Sequence, residues 1–190
     1  MLSLAAVALG FAAGGSLTEQ ANLAARWTAR VALPFFLVAF TASAVALRWP
    51  SPSTRALLRR RRQWGLGFAL AHLVHLAALW FNIVVAAPEP LRQTLAESVA
   101  NNVPGGVIFL FIIAMAATSN DRAVRALGKW WGRLHTLGGY AIWAAFTLAY
   151  AKRIVMDDAG MQVTGMIFTP LLLAAMTLRL IARSWAVRAA

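Results

Sequence analysis

The chain has three histidines and no cysteine, and every histidine falls inside or at the mouth of an apolar stretch: His72 and His75 in WGLGFALAHLVHLAALWF, His135 in KWWGRLHTLGGYAIW. An ionisable side chain is costly in hydrocarbon and is kept there for a purpose. Neither stretch holds a thiol or a carboxylate, so the chemistry best suited to these neutral imidazoles is axial ligation of a heme iron. Without cysteine there is no disulfide, no Cys-ligated iron–sulfur cluster and no c-type attachment, so any cofactor must be held by other ligands. His72, His75 and His135 are the candidates, and His72 and His75, three residues apart, share one helix face, so that one of them could instead be a hydrogen-bonding neighbour.

The elements that must position these residues follow from composition. Of the residues, 61% are hydrophobic and only 13% charged, with a mean hydropathy of +0.67, whereas soluble domains are about one quarter charged. This predicts an all-α integral membrane bundle. At roughly 20 apolar residues per crossing, the 190 residues accommodate about six spans in a single domain. The spans are expected at about 2–17, 30–47, 63–85, from the NNVPGG break to about Thr118, 131–150 and 160–181. Pro104 would sit in the first turn of the fourth, where a missing N–H costs nothing. The first is short, but no basic residue precedes it and no clear cleavage site follows, so it is expected to be a helix rather than a signal peptide. No internal repeat or long linker divides the chain.

Six spans would place thirteen of the eighteen Lys and Arg residues on one side of the membrane, including Arg59 to Arg62, Lys129 and Arg133, and five of the six acidic residues on the other. The positive-inside rule then puts both termini in the cytoplasm, in what would be a bacterial inner membrane. A formal charge of +12 is accounted for by this topology and by anionic headgroups, and nucleic acid is not an expected partner. Arg62 and Arg133 flank the histidine-bearing spans and could pair with the anionic propionates of a heme. Trp64, Trp130 and Trp131 fit an interfacial aromatic belt. Glycines at 65, 67, 128, 132, 138 and 139 would allow close helix packing or make room for a macrocycle.

Depth is a constraint. His72 and His75 lie ten and thirteen residues past Arg62, and His135 lies six past Lys129. At 1.5 Å per residue His135 is shallower by roughly 6 to 10 Å, a difference that arginine snorkelling or unequal tilt would have to absorb.

Two runs carry a family likeness. RRRRQWGLGFALAHLVHLA resembles the third span of the ferric-reductase-like transmembrane domain, and TSNDRAVRALGKWWGRLHTLGGYAIW resembles that family's passage into its fifth span. TARVALPFFLVAFTASAVALRWP is similar to the second span of those members that supply electrons to a periplasmic methionine sulfoxide reductase. The likeness covers roughly residues 28–155. It implies a b-type heme bundle that moves electrons across the membrane from a quinol or flavin donor toward a redox partner protein. His75 matches the third-span ligand and His135 the first histidine of the fifth span. The family's second fifth-span histidine lies thirteen residues further on, where this chain has Leu148.

Two bis-His hemes need four histidines, so at most one such heme is expected. A weaker opposite ligand, such as Tyr150 or a Met of the sixth span, is the alternative. No glycine-rich nucleotide fingerprint follows a strand, and a flavin would therefore belong to another polypeptide. Two other classes remain open: a heme-free membrane scaffold that keeps the fold, and a small transporter, for which Asn82, Asn101 and Asn102 lie too near the outer face to line a midplane path.

Overall fold

Ser16 and Glu19 start the longest helix. The Ser16 backbone N–H donates to Glu19 Oε2 at 2.8 Å and the Glu19 N–H to Ser16 Oγ at 3.3 Å, a capping box that satisfies two of the donors a helix start leaves open. The computed structural model describes residues 1–13, 15–86, 105–156 and 158–188. The readings placed on Glu89, Arg92, Glu97, Asn101, Asn102, Pro104 and Asp157 lie outside the described residues.

Among the described residues the chain is helical, with no strand. The helices are α1 (Leu2–Ala12), α2 (Leu17–Arg48), α3 (Pro52–Arg59), α4 (Arg61–Phe81, continued by a π-turn over Asn82–Ala86), α5 (Gly105–Ala117), α6 (Asp121–Leu127), α7 (Lys129–Arg153) and α8 (Ala159–Arg188). The expectation of an all-α chain holds. Of the six expected crossings, three helices are long and apolar enough to cross a membrane, α2, α4 and α8, or four if α5 and α6, bent by 107° at their break, count as one. The 11 residues of α1 reach only about 16 Å, short of the ~30 Å of hydrocarbon. The 25 residues of α7 are long enough, but a histidine, threonines, tyrosines and glycines dilute their apolarity.

Capping residues set the short elements. Ser51 accepts from the Thr54 N–H at 3.1 Å and Pro52 occupies the first turn of α3. Asn120 Oδ1 accepts from the Ala123 N–H at 2.8 Å to begin α6. Gly128 ends α6 and opens α7 with φ 49° and ψ −123°, a backbone region that a Cβ disfavours.

The chain forms two compact units, Met1–Phe36 with Gln63–Gly106, and Leu37–Arg62 with Val107–Ala190. In the first unit Gly10 brings α1 onto the backbone of α2 at Ala24, and Ala21, Ala24 and Ala25 are buried beneath it. Gly67 lies under the Phe35 ring, and Phe36 and Phe68 pack with centroids 5.3 Å apart. Asn82 Nδ2 donates to Asn22 Oδ1 at 2.7 Å, a polar link between apolar helices.

In the second unit α7 and α8 pack backbone to backbone at Gly165, where an added Cβ would lie 2.8 Å from Tyr150 O and 2.9 Å from Ile154 N. Trp143 Nε1 donates to Leu172 O at 2.8 Å, and the Tyr150 and Phe168 rings meet at 4.9 Å. Arg61 Nε donates to Ala39 O at 3.0 Å and Arg179 Nη1 to Phe40 O at 2.5 Å, so successive carbonyls of α2 each use a second lone pair. Arg179 also lies over the Phe40 ring, 4.3 Å from its centroid.

Candidate functional site

In the first unit α4 carries His72 and His75 and α2 carries Thr28. His72 is 8% exposed, with ring centroids 5.1 Å from Phe68 and 5.2 Å from His75. Thr28 is fully buried; its Oγ1 lies 2.9 Å from both Ala24 O and Ala25 O and 3.1 Å from His75 Nδ1. A hydroxyl has one proton and two lone pairs. Where that proton goes back to the helix, the His75 Nδ1–H donates to Thr28; where it goes to the ring, His75 Nδ1 accepts it. A metal-ligating histidine is ordinarily held in the first way, its second nitrogen donating to a fixed acceptor. In that tautomer the Thr28 contact is of the kind that orients an axial ligand.

His135, on α7 in the second unit, has a similar partner at the opposite nitrogen. Thr118 Oγ1 lies 2.7 Å from Ala114 O and 3.1 Å from His135 Nε2. The same two arrangements apply: Nε2–H donates where the Thr118 proton goes to the helix, and Nε2 accepts where it goes to the ring. Trp131 completes the arrangement, stacking on His135 at 4.2 Å and donating from Nε1 to Thr118 O at 3.0 Å. For Nε2 of His135 to reach an iron, the Thr118 bond must break or the ring must turn.

No family model, no curated protein and no solved structure matches the chain.

Arg62, Arg133, Tyr150 and Leu148 lie in the second unit. Arg62 Nη1 is 3.3 Å from Asp121 Oδ1, with both side chains largely exposed, a pair worth little to stability. Arg133 is exposed, its guanidinium 4.6 Å above the Trp130 ring. Tyr150 is 2% exposed, with Phe146, Phe168 and the Arg153 guanidinium against its ring. Leu148 is 62% exposed. Gly65 and Gly132 have nothing within 4 Å of an added Cβ, whereas Gly67 and Gly138 accommodate Phe35 and Met115. Some of these glycines serve packing and others leave open space.

Among the described residues no group of three His, Asp or Glu side chains converges to hold a metal ion. A heme, whose macrocycle supplies four nitrogens, asks a chain only for axial ligands. Sequence reasoning missed Thr28 and Thr118, the residues that orient both rings. Their signal was available: a threonine inside an apolar helix donates to its i−4 carbonyl and then offers a lone pair to a neighbouring helix.

Proposed function

We propose that the chain is a membrane b-type heme protein that passes electrons within or across the bilayer, as one subunit of an oxidoreductase system rather than a self-contained enzyme. The observation that carries this reading is the Thr28–His75 bond at 3.1 Å, by which a fully buried threonine of α2 holds the ring of a histidine on the apolar helix α4. Bound heme b would supply one-electron redox chemistry. In the chain, His75 would be the ligand and Thr28 would hold its ring, and His72 with Phe68 packs beside it. His135 is the sequence-based candidate for a second ligand, conditional on release from Thr118. The likeness of the second, third and fifth spans to the ferric-reductase-like domain supports the same assignment, with a quinol, or a flavin on a partner polypeptide, as donor and a partner protein as acceptor.

A six-crossing topology with both termini cytoplasmic belongs to this proposal and rests on the unequal distribution of Lys and Arg. A reporter fused after Ala190 should be active in the cytoplasm; periplasmic activity would overturn the topology. The heme reading is tested by a reduced-minus-oxidised difference spectrum of the purified protein, produced with heme in excess. A b-type spectrum is the expected result, and a flat difference spectrum from folded protein sinks the proposal.

A further inference from the structure

An open groove of about 850 Å³ runs along α7 in the second unit, walled by Phe111 of α5, Leu127 of α6 and one face of α7 from Lys129 to Tyr140. Its volume is within the roughly 300–1,000 Å³ of sites that take small organic molecules. Lys129, Arg133, Leu137 and Tyr140 follow one another at helical spacing on that face, so the groove is about 16 Å long at 1.5 Å per residue. Its two ends differ in chemistry. Lys129 and Arg133 are cations one turn apart at the mouth, Arg133 is braced on the Trp130 ring at 4.6 Å, and among the described residues no carboxylate lines the groove. Further along the walls are Leu134, Leu137 and Phe111. The floor is open because Gly132 has nothing within 4 Å of where a Cβ would be.

We infer that this groove binds one anionic phospholipid, with the headgroup phosphate between Lys129 and Arg133 and an acyl chain along Gly132, Leu134 and Leu137. Charge complementarity selects the headgroup: two cations without a counter-carboxylate attract an anion and do not distinguish a zwitterion. The apolar continuation selects a lipid over a free phosphate, which would have no use for Phe111 or Leu137. Trp130, 60% exposed, is placed as an interfacial tryptophan beside the headgroup. The site does not depend on heme binding.

The test is native mass spectrometry of the full chain in detergent, with phosphatidylglycerol, phosphatidylcholine, glycerol phosphate and a neutral isoprenoid quinone added separately and in competition. The parent should retain one phosphatidylglycerol in preference to phosphatidylcholine, and neither glycerol phosphate nor the quinone should displace it at equal concentration. Lys129→Gln with Arg133→Gln, both exposed, should weaken phosphatidylglycerol retention roughly 30-fold, the factor expected from two juxtamembrane charges. Gly132→Leu should abolish retention by filling the floor, with circular dichroism unchanged. Equal retention of the two lipids by the parent, or a phosphatidylglycerol preference that survives the double substitution, overturns the proposal. Displacement by glycerol phosphate would convert the groove to a free-anion site and displacement by the quinone to a quinone site, and either result also overturns it.

Discussion

Replacing His75 by alanine should remove the heme absorbance expected of the purified protein, while His72→Ala should retain it. The expected difference follows from what each ring contacts. His75 has one nitrogen bonded to Thr28 at 3.1 Å, which holds its ring, whereas His72 is packed against Phe68 and His75 and is 8% exposed. Thr28→Val tests the orienting bond by itself. It keeps the side-chain shape, removes the acceptor, and should weaken heme affinity by roughly 10- to 100-fold, the usual cost of losing the partner that orients a ligand. Heme content per chain should not exceed one bis-His heme, because three histidines cannot supply four ligands. An unchanged spectrum in His75→Ala would falsify the ligand assignment. Two bis-His hemes in a demonstrated monomer would contradict the stoichiometry.

Gly165→Ala should destabilise the protein by about 1–3 kcal/mol, the usual cost of forcing extra atoms into a packed contact. A Cβ there would lie 2.8 Å from Tyr150 O, 2.9 Å from Ile154 N and 3.0 Å from Ile154 Cγ1. Two of these three atoms are backbone, so relief requires α7 and α8 to separate rather than a side chain to turn. Gly65→Ala is the matched control: nothing lies within 4 Å of its added Cβ, and within a helix alanine is favoured over glycine by roughly 0.5–1 kcal/mol. Denaturation followed by circular dichroism in mixed micelles should therefore move in opposite directions for the two variants. A Gly165→Ala protein as stable as the parent would show that the close approach of these helices is not maintained in the membrane.

The all-helical class was legible from composition alone, because hydrocarbon admits few ways of satisfying a backbone. Helix starts were less legible. The second span was read from about residue 30, yet α2 begins at Leu17, since Thr18, Glu19, Gln20, Asn22 and Arg26 made the preceding stretch look aqueous. The S-x-x-E pattern at Ser16 was a start signal in plain view. The second span is expected to end at about residue 47, and just beyond it Ser51 and Pro52 cap a further helix that the span pattern does not show. His72, His75 and His135 stood out as intramembrane ionisable residues. Which ring nitrogen each presents could not be read from spacing, because it depends on threonines 47 and 17 positions away from their histidines.

The glycine joint at position 128 has a mechanical consequence. Its φ of 49° and ψ of −123° fix the corner at which α6 hands the chain to α7, and every functional group of that helix is counted from it. Each residue of a helix advances its neighbours by about 100°. Inserting a single residue just after the corner would swing Lys129, Arg133 and Tyr140 out of the groove and carry His135 away from Thr118 in the same rotation. The cationic groove and the histidine latch are thus parts of one key cut on a single shaft. Neither can be re-registered while the other stays in place.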